Sequence, residues 1–258
     1  ALPATDNVAD FMAIRLDQLP NDCKLTLANA SCIGNGFSDY TLQLIMGKSV
    51  EWIRNALAHA LHGKMVHIIH NQSKVENRVY KFCHDKVQEA CYHLFSQTER
   101  NAAHWRFGMK LHENIAHEEA DACERNDILQ LVNHLNRGRE HVLSVCENSS
   151  ENNMILLAEL NLQACIRAKK AVANREALEY ITVATQCLQQ VEEFLLWSKY
   201  YDLAFAVYRE LADSYYLDSQ FEQSRITLAH IVDKCKTNLD KANILLMYLV
   251  QQNLKNEL

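Results

Sequence analysis

Pro20 is the last proline in the chain, and the 238 residues that follow it contain none. A proline inside a helix costs ~3 kcal/mol, and loops ordinarily use several. A proline-free stretch of this length therefore predicts helices joined by short connections. Six glycines and a 48% hydrophobic content agree with that reading. Strands are expected only where a local signal asks for them.

Start and stop residues divide the chain. Val8, Phe11, Met12, Leu16 and Leu19 fall at helical spacing, and Pro20 with Asn21-Asp22 ends that helix and opens the next. CKLTLANASCI (23–33) is closed by Gly34-Asn35-Gly36. Ser38 can cap DYTLQLIM, which Gly47 ends, and Ser49 can cap VEWIRNALAHALH, which Gly63 ends. Then the texture changes. MVHIIH (65–70) is β-compatible, NQSKVEN (71–77) is turn-like, and RVYKFC (78–83) alternates toward Phe82. Three helices followed by a two-stranded hairpin is the order of a winged helix.

After His84 every segment reads as helix. ILQLVNHLNRG (128–138) lies in one of them, and residues 147–153 are the expected hinge. Helices then come in pairs, 151–173 with 175–191 and 198–217 with 220–235. Ala177 and Ser224 occupy matching places 47 residues apart, with Ala164, Ala168, Ala184, Ala204 and Ala212 where helices would cross closely. Small residues at such crossings are tetratricopeptide-like (TPR-like), although the usual period is 34 and a proline ends each repeat. The fold class expected is mainly α: a winged-helix domain with one β-hairpin over 1–97, connecting helices over 98–147, and a TPR-like helical-hairpin array over 148–258.

Charge and motifs narrow the function. The net charge is −6 and neither half is basic, so a phosphate-backbone partner lacks its electrostatic footprint. The helix that would read DNA carries Arg54 and Lys64 against Glu51, where a groove-reading helix presents several polar or cationic side chains on one face. Nine scattered cysteines with no CxxC read as reduced core thiols, and no apolar run reaches 18 residues. A cytoplasmic chain with no membrane and no nucleic-acid partner is expected. His112-Glu113-Asn114-Ile115-Ala116-His117 has one residue too many for HExxH, which puts its histidines about 140° apart around a helix. His59 and His62, with His67 and His70, lack the spacing of a zinc site. Gly34-Asn35-Gly36 follows a helix rather than a strand, and no P-loop sequence is present. Cys83 and His84 are neighbours in sequence, which does not place thiol beside imidazole. From residue type alone, His84-Asp85 reads as a cap on the helix that follows.

Phe82-Cys83-His84-Asp85-Lys86-Val87-Gln88-Glu89-Ala90-Cys91-Tyr92 resembles a motif, F-x-H-D-[RK]-[VI]-Q-[QE]-A-x-Y, of large signalling proteins. These join a Ser/Thr-kinase-like domain, an AAA/STAND-type ATPase and, often, GAF and histidine-kinase domains. Ala30-Ser31-Cys32-Ile33-Gly34-Asn35-Gly36-Phe37 is similar to that family's "A-A-C-I-G-x-x-F", and residues 128–138 to its "D-I-V-N-x-L-N-x-G". Ala4 to Pro20 resembles the segment just after the ATPase core. Leu160 to Ala171 and Tyr201 to Tyr215 resemble the family's helical repeats. The motifs occur in family order along nearly the whole chain.

The resemblance implies a non-catalytic, regulatory fragment. Its winged helix would sense nucleotide state, and its repeats would bind a protein partner or a neighbouring domain. ADP or ATP would belong to an upstream ATPase domain, and this chain would hold no cofactor of its own. In related ATPases a His-Asp pair in the winged helix locks the ADP-bound state. His84 matches the histidine that reaches the phosphate, and Asp85 its acidic neighbour, which would cap the helix and orient the loop. Two alternatives stand beside this: a free-standing TPR-like adaptor, and a winged-helix DNA-binding protein.

Overall fold

The structure, a computed structural model of the chain, describes residues 14–69, 77–117, 127–145 and 150–256. The fold is mainly helical with one small three-stranded sheet. Two compact units divide it: Ala1–Cys123 with Asn133–His141, and Glu124–Val132 with Val142–Leu258. All but Asn77 of the expected polar turn at 71–77, and residues 7–13 of the expected first helix at 7–19, lie outside the described residues.

In the first unit a helical turn at 14–17 precedes Pro20, which stands at the N-terminus of α1 (Asn21–Ile33). Gly34 ends α1 with φ of 152°, a backbone conformation open to glycine. Next come β1 (Gly36–Ser38), α2 (Asp39–Met46) and α3 (Val50–His62). Ser38 and Ser49 cap α2 and α3, their hydroxyls accepting from Thr41 N–H (3.0 Å) and Trp52 N–H (3.2 Å). β2 (Val66–Ile69) and β3 (Val79–Phe82) pair antiparallel, with Val66 opposite Phe82 and Ile68 opposite Tyr80.

The sequence predicts a two-stranded hairpin, and the structure adds β1 as a third strand on the far edge of β3, Phe37 opposite Tyr80. Three residues between a glycine turn and a serine cap are too few to show a period of two. The inner face of the sheet stacks Phe37 on Tyr80 and Phe82 (centroids 5.6 and 5.3 Å) over Leu27, Leu42, Ile53 and Leu57. Asp39, 1% exposed, accepts from Arg54 Nε (2.8 Å) and from the Arg78 backbone N–H (3.0 Å). Arg54 is therefore tied to α2 from within the helix that the DNA-binding alternative would lay in a groove.

The unit extends past residue 97. α4 (Asp85–Tyr92) leads into α5 (Gln97–His117), which packs on α1 and α2, and α6 (Asp127–Val145) gives residues 133–141 to the same unit. Between α5 and α6 lies a buried polar chain. Tyr92 Oη is 3.1 Å from His104 Nε2, and His104 Nδ1 is 2.9 Å from His134 Nδ1, one imidazole donating to the other. His104 is 1% and His134 6% exposed, with the Phe107 ring edge-on to His134.

Burial, with Arg137 and Arg100 beside it, brings the His104 imidazole down to about 4. Burial, then His104 and Arg137, brings His134 down to about 3. The folded state thus binds fewer protons than the unfolded chain, whose histidines titrate near 6.5. The contribution is complete above pH 6.5 and is lost as pH falls toward 4. Urea unfolding of the first unit should show a loss of about 3 to 4 kcal/mol between pH 7 and pH 5. A flat profile over that window would remove the buried neutral pair.

The second unit is built from helical hairpins. α7 (Ser150–Lys170) pairs with α8 (Asn174–Leu188), and α10 (Tyr201–Leu217) with α11 (Phe221–Val232). Residues 150–153, expected in a hinge, form the first turn of α7. The 47-residue offset holds down to single hydrogen bonds. Ala173 N–H donates to Ala168 O (2.9 Å) and Gln220 N–H to Tyr215 O (2.8 Å), while Val172 and Ser219 take left-handed φ of 60° and 63°. Each is the six-to-one closure that ends a helix with a left-handed residue, here without glycine. Ala164, Ala168, Ala184, Ala204 and Ala212 are all buried. Lys169 crosses from α7 to Glu210 (2.9 Å) and Asp213 on α10. The periodicity did not reveal α9 (Glu193–Ser198), six residues that set Trp197 against Tyr208. α12 (Asn238–Asn256) follows α11.

Candidate functional site

β3 ends at Phe82, and Cys83 N–H donates to Met65 O (2.9 Å), which closes the β2–β3 ladder. His84 follows in extended geometry (φ −157°, ψ 145°), so its side chain folds back over the first turn of α4. Its Nδ1 accepts from Lys86 N–H (3.1 Å). His84 is therefore the cap. Asp85, expected to fill that role, is the first helical residue, one place past the extended position from which a side chain accepts from the first-turn N–H groups. Asp85 instead accepts from Asn35 Nδ2 (3.0 Å), which holds the turn between α1 and β1 against the start of α4.

That contact joins two sequence motifs 50 residues apart. Asn35 O accepts from Phe82 N–H (3.0 Å), and Gln88 Nε2 donates to Ser31 O (3.2 Å). The segment 30–37 and the segment 82–92 are thus stitched side by side, with Phe37 packed on Phe82 beneath them. Tyr92, at the end of the second segment, reaches through His104 to His134 in the third.

The cap settles the chemistry of His84. With Nδ1 spent as an acceptor, the neutral ring carries its proton on Nε2. The residue is exposed and Nε2 has no partner among the described residues, so it presents one N–H donor outward. Lys86 is exposed beside it, in an ion pair with Glu89 (2.7 Å), and Lys81 is exposed on β3. A helix N-terminus adds N–H groups that favour an anion. The cluster can contact an oxyanion edge.

Sequence neighbours mislead at Cys83. The imidazole beside its thiol is His67, 16 residues away across the hairpin (Sγ to Nδ1 3.5 Å), and not His84. The register that pairs His67 with Lys81 is the signal that would have found it. Of the other described cysteines, Cys23, Cys32, Cys91, Cys165 and Cys187 are buried and Cys235 is half-buried. Burial pushes the Cys32 thiol up to about 11 and Cys91 up to about 12, as expected of core packing. Glu113 of the HENIAH segment forms an exposed ion pair with Lys110 (2.6 Å). Among the described residues no three His, Cys, Asp or Glu side chains gather to hold a metal, and no helix is long and apolar enough to cross a membrane.

No family model and no solved structure matches the chain. It is similar to the hybrid signal transduction histidine kinase G of Dictyostelium discoideum, at 22% identity over 281 aligned positions that cover 90% of this chain. The chain spans about 8% of that protein's length. The likeness supports a signalling-protein context.

Proposed function

We propose that the chain is a non-catalytic regulatory segment of a STAND-type signalling ATPase. A winged-helix unit reads the state of a nucleotide held by an upstream ATPase domain, and TPR-like repeats bind a partner protein or a neighbouring domain. The carrying observation is the junction of segments 30–37 and 82–92, which leaves the Nε2–H of His84 as an outward donor at the start of α4. The order α1-β1-α2-α3-β2-β3 supports the winged-helix reading, and His84 stands two residues after the end of β3.

His84 would donate to a phosphate oxygen of ADP. Asp85, anchored to Asn35, would fix the backbone from which His84 projects. ADP or ATP itself supplies the charge that is read; the residues that bind its base and metal would belong to the ATPase domain. On this reading the isolated chain should show no measurable ATPase turnover.

Hydrogen exchange tests the reading in a protein carrying both the ATPase domain and this chain. Amides of residues 81–88 should be slowed when ADP is bound and should exchange faster in the empty protein. Equal exchange in both states would remove the nucleotide-sensing role.

A further inference from the structure

We propose that Cys83 is a modification site: its thiol attacks a small-molecule disulfide, His67 receives the proton, and the product is a mixed disulfide beside the start of α4. Of the seven described cysteines, Cys83 alone is exposed. Strand alternation puts it there. Tyr80 and Phe82 are buried against the core, while Lys81 and Cys83 face outward. On β2, His67 is exposed between buried Val66 and half-buried Ile68. His67 lies opposite Lys81, so Cys83, two residues further on, is its diagonal neighbour on the same face. That register brings Nδ1 to 3.5 Å from Sγ, within hydrogen-bonding reach of a thiol. Cys83 N–H is itself bonded to Met65 O (2.9 Å), so the ladder holds the pair together.

A thiolate, not a thiol, attacks a disulfide, and an unassisted thiol is only a few per cent ionised at pH 7. An imidazole bonded to the sulfur removes that obstacle. The Sγ–H bond breaks, and its proton passes to His67 Nδ1. Sγ bonds to one sulfur of the disulfide, whose S–S bond breaks. The other sulfur leaves as a thiolate and takes up a proton from the imidazolium or from water. One thiol and one disulfide are consumed and one of each is formed, so no further oxidant is needed. Lys81 adds a cation on the same face, and Lys64 is exposed in the turn before β2. At the start of α4, Asp85 is engaged by Asn35, Lys86 is paired with Glu89, and His84 caps the helix.

The consequence for regulation rests on the nucleotide reading above. Successive Cα atoms lie about 3.8 Å apart, so a tripeptide-sized adduct on Cys83 spreads over His84. Carboxylates on that adduct would compete with a phosphate for the His84 donor and the first-turn N–H groups of α4. Modification would therefore release the nucleotide.

Oxidised glutathione is the probe, and mass spectrometry follows the tryptic peptide 82–86, in which Cys83 is the one cysteine. On the 258-residue chain at pH 7, His67→Gln should form the adduct at least 5-fold more slowly than wild type, with unchanged circular dichroism. At pH 9.5, where exposed thiols ionise unaided, the two rates should agree within about 2-fold. Equal rates at pH 7, a deficit that persists at pH 9.5, or no adduct on this peptide would overturn the proposal. In a protein joining the ATPase domain to this chain, the adduct should speed ADP release at least 5-fold, and Cys83→Ser should make release insensitive to the probe. Release unchanged by the adduct but speeded by His84→Ala would overturn the regulation and keep the nucleotide reading. Release unchanged by either would overturn that reading and the regulation with it.

Discussion

Gly138→Ala should destabilise the first unit by about 2 to 4 kcal/mol, even though alanine is the better helix former. A Cβ built on Gly138 would stand 2.5 Å from Trp105 N and 2.7 Å from Trp105 Cα. Both are backbone atoms of α5, so the contact is relieved only by moving one helix off the other. That movement opens the packing around His104 and His134, which ride on the same two helices. The ~1 kcal/mol that alanine gains in helix propensity is too small to offset it. Gly108→Ala is the internal comparison. Its Cβ would meet mainly the Leu135 side chain, at 2.5 and 2.6 Å, which can rotate, so a smaller loss is expected. Urea unfolding of both variants checks the order. A Gly138→Ala protein as stable as wild type would mean that α5 and α6 do not approach this closely.

Gly138 also gives physical content to a motif residue. In ILQLVNHLNRG the glycine reads from sequence as a mid-helix weakness; across α5 it is the one side-chain size that lets the backbones meet. His134, four residues earlier, reads as an interchangeable position and is in fact half of a buried pair. Neither role could be read beforehand, because each depends on the distance between two helices rather than on anything within one.

What the chain declares locally, it declares well. Ser38, Gly47, Ser49 and Gly63 bound α2 and α3 as their cap chemistry demands, and the 47-residue offset reappears in paired left-handed turns at Val172 and Ser219. Short elements escaped: β1 has three residues and α9 six, each below two full periods. At the candidate site, His84 and Asp85 stood out through the resemblance, yet the cap expected of Asp85 is supplied by His84. The cap falls to whichever residue is extended just before the first turn, and the backbone leaving β3 gives that geometry to His84. Asn35, the partner that anchors Asp85, was visible only as part of a glycine-flanked turn.

The rate of ADP release tests the central claim most directly. It should be measured on a protein that joins the ATPase domain to this chain, with wild type, His84→Ala and Asp85→Asn side by side. A hydrogen bond from a side chain to an anionic phosphate is worth about 1.5 to 3 kcal/mol, so His84→Ala should release ADP roughly 10- to 100-fold faster and raise basal signalling. His84 lies on the surface, so its loss should cost the fold little beyond one cap, about 1 kcal/mol. Asp85→Asn keeps the Asn35 contact in reach and should show a smaller effect. ADP release from His84→Ala at the wild-type rate, with the protein folded, would contradict the account.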